Sequence, residues 1–211
     1  MPQLVELVLH FDKHLAEFSQ MYGLLVYGLI SFIIFAETGL VVTSVLPGDS
    51  LLFAAGALTA GGIFPLPVYV LWGLLVVAAI VGDAVNYQLG KHFGRKIFKK
   101  DSKLFSLDKL QAAEHFYQKH GGKAIILARF VPFVRTFAPF VAGISDMNYF
   151  QFAKFNVFGG LLWVSSFVGM GYFFGTIPFV QHNFHYLMFG IILFSLLPVY
   201  LELKKPKHKD L

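Results

Sequence analysis

Glu37, Asp49 and Asp83 are the only charges between Phe18 and Gly90, and all three are acids; Arg129 and Arg135 stand as a pair in an apolar run around Pro132 and Pro139. Ionised groups in such surroundings are expensive in a bilayer, so they normally face a cavity or one another and mark a route for ions or substrate. Arginine stays charged and meets phosphate or carboxylate through paired donors, so two of them in a low-dielectric pocket select an anion. On an unbroken helix, residues six apart would diverge by roughly 120° around the axis and about 9 Å along it. A break at Pro132 lifts that constraint and lets both guanidinium forks turn toward one ligand, with the dipole of the next half-helix adding to the attraction.

The acids suggest protons. A carboxylate whose arginine partner comes and goes can take up and release a proton, which makes Glu37, Asp49 and Asp83 the candidate proton-coupling groups. Asp49, just after Pro47-Gly48, has a competing job as the N-cap of the following half-helix. Asp83, Asn86 and Tyr87 share one helical face at i, i+3 and i+4, and with Thr136 they form the supporting polar set. A purely structural alternative also stands, in which the five charges pair only to lock their segments together.

Elements able to position these residues must lie in lipid. The sequence is 56% hydrophobic and 14% charged, with 25 Phe and a mean hydropathy of +0.66, whereas a soluble domain has about a quarter charged residues. The uncharged stretches cover 18–36, 50–82 and 155–201. A span needs roughly 20 apolar residues, so the last two are too long for one helix each and must turn. Gly61-Gly62-Ile63-Phe64-Pro65-Leu66-Pro67 and Gly175-Thr176-Ile177-Pro178 supply the breaks. The spans are expected over 20–38, 66–90, 150–175 and 184–203. Two further apolar segments, 40–60 and 124–144, are interrupted at Pro47-Gly48 and at Pro132 with Pro139. Their short halves suit re-entrant hairpins that dip into the protein interior, where irregular backbone is tolerated.

Residues 91–123 hold nine Lys or Arg against three acids, net +6, and residues 202–211 hold four Lys against two acids. The positive-inside rule makes these a basic cytoplasmic loop and a basic cytoplasmic tail. The hairpins then enter from opposite faces and both termini are cytoplasmic, an inverted-repeat plan with its binding site near the midplane. Leu46-Pro47-Gly48-Asp49 leading to Ala55-Gly56 echoes Val131-Pro132 leading to Ala142-Gly143, and Tyr87 to Gly90 echoes Tyr172 to Gly175. The fold class is therefore an all-α integral membrane protein, a single polytopic domain over 1–211. Residues 1–17 form an amphipathic interfacial helix and residues 104–119 a second amphipathic helix.

Other signals point to packing or to the surface. The basic loop suits anionic membrane lipids and not nucleic acid, despite a pI of 9.3. His10 and His14 lack a third ligand, so no metal is expected. Gly169-Met170-Gly171 follows no strand and is read as helix packing, not a nucleotide loop. Gly159-Gly160 and Gly169, Gly171 and Gly175 would let helices approach within one chain or across a homodimer. Cysteine is absent, which excludes disulfides and thiol chemistry. With no nucleophile–base pair, metal motif or nucleotide loop, the chain is read as a non-enzyme that needs no cofactor.

Glu37-Thr38-Gly39, Leu46-Pro47-Gly48-Asp49-Ser50, Gly82-Asp83 with Tyr87 and Gly90, Ala128-Arg129-Phe130-Val131-Pro132, Arg135-Thr136 and Ala142-Gly143 occur in this order. Together they resemble the DedA family of bacterial inner-membrane proteins, which shares its VTT domain with eukaryotic lipid scramblases, and the likeness is greatest to the founding branch. The resemblance covers about residues 20–200; the family's acidic pair matches Glu37 and Asp49, and its arginine pair Arg129 and Arg135. It implies a multi-pass protein of the bacterial inner (cytoplasmic) membrane, dependent on the proton-motive force and serving envelope homeostasis. It also implies a lipid-phosphate substrate, undecaprenyl phosphate, returned to the cytoplasmic leaflet. On that view Arg129 and Arg135 bind the phosphate and protons couple through the acids. The alternatives are a proton-coupled antiporter of cations or drugs and a passive phospholipid scramblase.

Overall fold

The computed structural model describes residues 21–40, 48–97, 121–131, 134–145 and 147–178, with residues 180 and 190. Among them the chain is helical and contains no strand. The helices are α1 Leu25–Gly39, α2 Gly48–Ala60, α3 Val68–Ile97, α4 Lys123–Arg129, α5 Val134–Ile144 and α6 Tyr149–Phe174. Two are long and apolar enough to cross a bilayer, over Val68–Gly94 and Tyr149–Phe174. The expected helices over 1–17, 104–119 and 184–203 and the tail over 202–211 lie outside the described residues, apart from residue 190.

Local chemistry accounts for the end of α2 and the start of α6. α2 closes in a Schellman motif: Gly62 takes the left-handed conformation at φ +72°, its amide donates to the Thr59 carbonyl, and the Ile63 amide donates to the Leu58 carbonyl at 3.0 Å. The Leu66 amide then donates to the Tyr27 hydroxyl at 2.8 Å, fastening the following turn to α1. α6 opens on Asn148, whose side chain accepts from the amides of Phe150 and Gln151. α3 does not stop at Gly90, where the basic segment was expected to begin. It continues to Ile97, because Lys, Arg and Gln are strong helix formers and no proline intervenes.

The main core lies among α1, α2, α3 and α6, with Ile30, Ile34, Leu51, Leu52, Leu71, Leu75, Trp163 and Val164 all buried. A second cluster joins Tyr87, Ile125, Ala142 and Phe152. Outward-facing Phe32, Val77, Val81, Phe158 and Phe173 are exposed, as expected of a surface solvated by lipid tails.

The short helices cross the long ones in a repeated way. α2 lies on α6 and α5 lies on α3, with backbones in contact. A methyl group on Gly56 would overlap the Val168 carbonyl and meet the Tyr172 amide at 2.9 Å; one on Gly143 would overlap the Tyr87 carbonyl and meet the Lys91 amide at 2.8 Å. Gly171 faces the Phe53 carbonyl as Gly90 faces that of Phe140, and Gly175 meets Ala57 as Gly94 meets Ile144. The same three-glycine contact is thus built twice. It pairs Gly90 with Gly171, one helical turn away from the Gly90–Gly175 correspondence suggested by the sequence echo. Gly169, expected to pack, faces open space; only the later two glycines of that series are used.

Candidate functional site

Glu37 and Thr38 sit in the last turn of α1, drawn against α3 because Gly82 has no side chain: a methyl group there would overlap the Thr38 hydroxyl. Gly48 plays the same part at the start of α2, where any Cβ would overlap the Glu37 carboxylate. The hairpin glycine named from sequence therefore gives Glu37 room to reach the interior. Pro47 and Pro132 fall outside the described residues. Pro139 is buried inside α5 and offers no N–H to the Arg135 carbonyl, which loosens that turn.

The five charges separate into two linked groups, all buried. Arg135 pairs with Glu37 through Nη2 and with Asp49 through Nη1. Arg129 pairs with Asp83, and its Nη2 also donates to Asn156 Oδ1. The pairing of acids with arginines is common to the functional and structural alternatives drawn from the sequence. Asp49 Oδ1 is engaged by Arg135 and, at 2.9 Å, by the Trp163 indole N–H.

Two amides fasten these groups to the helices. Asn86 Nδ2 donates to the Thr38 carbonyl at 2.9 Å and to the Thr136 carbonyl at 2.7 Å. Thr38 lies in the last turn of α1, where carbonyls lack an intrahelical donor, and Thr136 follows Arg135. Asn86 therefore staples the backbone beside Glu37 to the backbone beside Arg135, instead of serving Asp83 as its spacing suggested. Asn156 accepts from Arg129 and donates from Nδ2 to the Ile80 carbonyl at 3.0 Å. Both orientations are fixed by chemistry, since a carbonyl can only accept. The Tyr87 hydroxyl is spent on the Met147 carbonyl, and its ring stacks on Phe152 at 4.5 Å between centroids.

Trp163 is where the groups meet. The Arg135 and Arg129 guanidinium carbons lie 4.9 Å and 5.9 Å from the centroid of its ring. Gly159 and Gly160 leave space for the Arg129 side chain, whose Cδ and Nη1 would stand 3.2 and 3.3 Å from methyl groups there. Thr38, Asp83, Arg129, Arg135, Thr136 and Trp163 enclose a cavity of about 10 Å³, space for about one water molecule. Three carboxylates facing two guanidinium groups would carry a net charge of −1 if all were ionised, so the enclosed set becomes neutral on binding one proton. Such neutrality matters where solvation is poor. Among the described residues no cluster could hold a metal ion; His10 and His14 lie outside them.

Asn156 and Trp163 escaped the sequence reading. A single amide in a long apolar run was the only available hint of the first, and an indole is ordinary core material.

A family model described as the VTT domain matches residues 46–173. The chain is 55% identical over 206 residues to protein DedA of Escherichia coli strain K12, covering 97% of this chain and 94% of that one. An uncharacterized membrane protein of Mycobacterium tuberculosis strain H37Rv is 41% identical over 178 residues, covering 84% and 78%. Inner membrane protein YqjA of Escherichia coli strain K12 is 39% identical over 159 residues, covering 75% and 71%. No solved structure matches.

Proposed function

We propose, for a membrane protein that belongs to the founding branch of the DedA family and carries its VTT domain, that it moves a polyprenyl phosphate, undecaprenyl phosphate in the family's context, across the inner membrane by a proton-coupled cycle that depends on the proton-motive force. Segments 40–60 and 124–144 act as re-entrant hairpins from opposite faces, and the twice-built glycine contact supports their relation as an inverted repeat. Residues 91–123 and 202–211 face the cytoplasm with both termini and meet anionic lipid there.

One observation carries the proposal: two buried guanidinium groups, already matched by carboxylates, lie beside a single indole in an apolar interior. A phosphate monoester, like a carboxylate, can accept from a guanidinium fork through two oxygens, and it competes for the same donors. A proton on Glu37, Asp49 or Asp83 weakens the acid's hold and frees an arginine for phosphate. A cavity of about 10 Å³ does not admit a phosphate, so entry requires the hairpins to part, and the long tail remains in lipid.

The test is binding of a labelled polyprenyl phosphate by purified protein, followed by flux in proteoliposomes with and without a pH gradient. Arg129→Ala and Arg135→Ala should remain in the membrane, lose binding and fail to complement; Lys at either place restores charge without the fork and should rescue only in part. Normal complementation by both alanine variants overturns the phosphate clamp. The excess of acid over arginine favours a second reading as a cation–proton antiporter. It predicts cation exchange without any lipid, whereas lipid movement indifferent to a pH gradient and to headgroup charge indicates a passive scramblase.

A further inference from the structure

The two arginines carry like charges and share one small cavity, where repulsion between them is poorly screened. In the closed arrangement the carboxylates offset that repulsion. Once phosphate displaces an acid, the surroundings that persist are the aromatic ring and the amides. Trp163 has a distinct place among these: it is buried, lines the cavity, donates to Asp49 and lies near both guanidinium groups, at 4.9 and 5.9 Å from its ring centroid. A ring quadrupole attracts a cation without neutralising it, and therefore leaves the guanidinium N–H donors available to an anion.

We propose that Trp163 is a positioning residue for the phosphate clamp: its ring holds Arg129 and Arg135 side by side while their donors pass from carboxylate to phosphate, and its N–H keeps Asp49 nearby to take Arg135 back. This deepens the preceding proposal and rests on it. The ring, rather than the N–H, supplies affinity for the phosphate lipid; the N–H governs the return to the closed arrangement.

Farnesyl phosphate is a suitable probe, with farnesol as the neutral control. Trp163→Phe keeps a ring and loses the N–H, so its affinity should stay within about threefold of the parent, whereas Trp163→Leu should bind roughly tenfold more weakly, the scale of a desolvated cation–π contact. The sequence has two tryptophans, so a Trp72→Phe background leaves Trp163 as the sole indole. Its emission should change on adding farnesyl phosphate and not on adding farnesol. Equal affinity of the Leu and Phe variants, with the parent binding normally, overturns the positioning role while leaving phosphate binding intact. Should Trp163→Leu fail to fold, an unchanged indole emission on saturation of the Trp72→Phe protein overturns it independently. Failure of the parent to bind any farnesyl phosphate, while Arg129→Ala and Arg135→Ala behave as it does, removes the underlying function as well.

Discussion

At the scale of single residues the site behaves as a set of commitments that cannot be broken singly. Asp83→Asn leaves the Arg129 charge buried with an amide on either side, and removal of one partner from a buried pair typically costs about 3–5 kcal/mol. Glu37→Gln is different, because Arg135 retains Asp49 and keeps a carboxylate partner. Thermal unfolding in detergent should therefore show a large loss of Tm for Asp83→Asn and a small one for Glu37→Gln, although the latter should transport poorly. Replacing both members of the first pair, Asp83→Leu with Arg129→Met, should recover much of the stability and none of the transport. Additive losses in that cycle would refute the pairing. These charges were legible in the sequence because each is costly in an apolar run. Their partners were not: three acids and two arginines permit several matchings, and only the approach of Gly82 and Gly48 to α1 selects this one. Trp163 and Asn156 left little trace because neutral side chains carry no comparable penalty.

At the scale of helices, closeness is set by what is missing. A methyl group on Gly56, Gly90, Gly143 or Gly171 would strike a carbonyl of the neighbouring helix, whereas Gly28, Gly73 and Gly169 face open space. Alanine at the first four positions should lower Tm sharply, as backbone cannot yield by changing rotamer. At the latter three, alanine should be neutral or stabilising by up to about 1 kcal/mol. The sequence disclosed the breaks between elements, since Gly and Pro punctuate helices by known means, and it disclosed Ala55-Gly56 with Ala142-Gly143. It misplaced the partner by one turn because Tyr87 and Tyr172 looked equivalent, while the contacts follow the glycines. The continuation of α3 to Ile97 was concealed by its charge: a basic segment suggests a loop on topological grounds, yet lysine and arginine favour helix.

For the molecule as a whole, orientation is the open quantity that charge predicts. A chain without cysteine is ready for thiol mapping. Ile63 and Lys91 are both exposed; Ile63 lies in the turn between α2 and α3, and Lys91 follows the apolar part of α3. With the basic segment in the cytoplasm, Ile63→Cys should react in intact cells with a reagent that cannot cross the inner membrane, and Lys91→Cys only after the membrane is opened. The reverse pattern would overturn the proposed topology.

The odd number of buried charges among the described residues has an electrical consequence. Three carboxylates and two guanidinium groups cannot balance without a passenger, so the shut protein either stores a proton or holds an uncompensated unit of charge in oil. In the proposed cycle, a proton taken up from one leaflet and released at the other displaces charge through the membrane field. Each elementary charge carried fully across is worth about 2.3 kcal/mol per 100 mV. The proposed cycle, with this parity of acids and bases, would thereby be coupled to voltage as well as to acidity, and would be driven by membrane potential even without a pH difference.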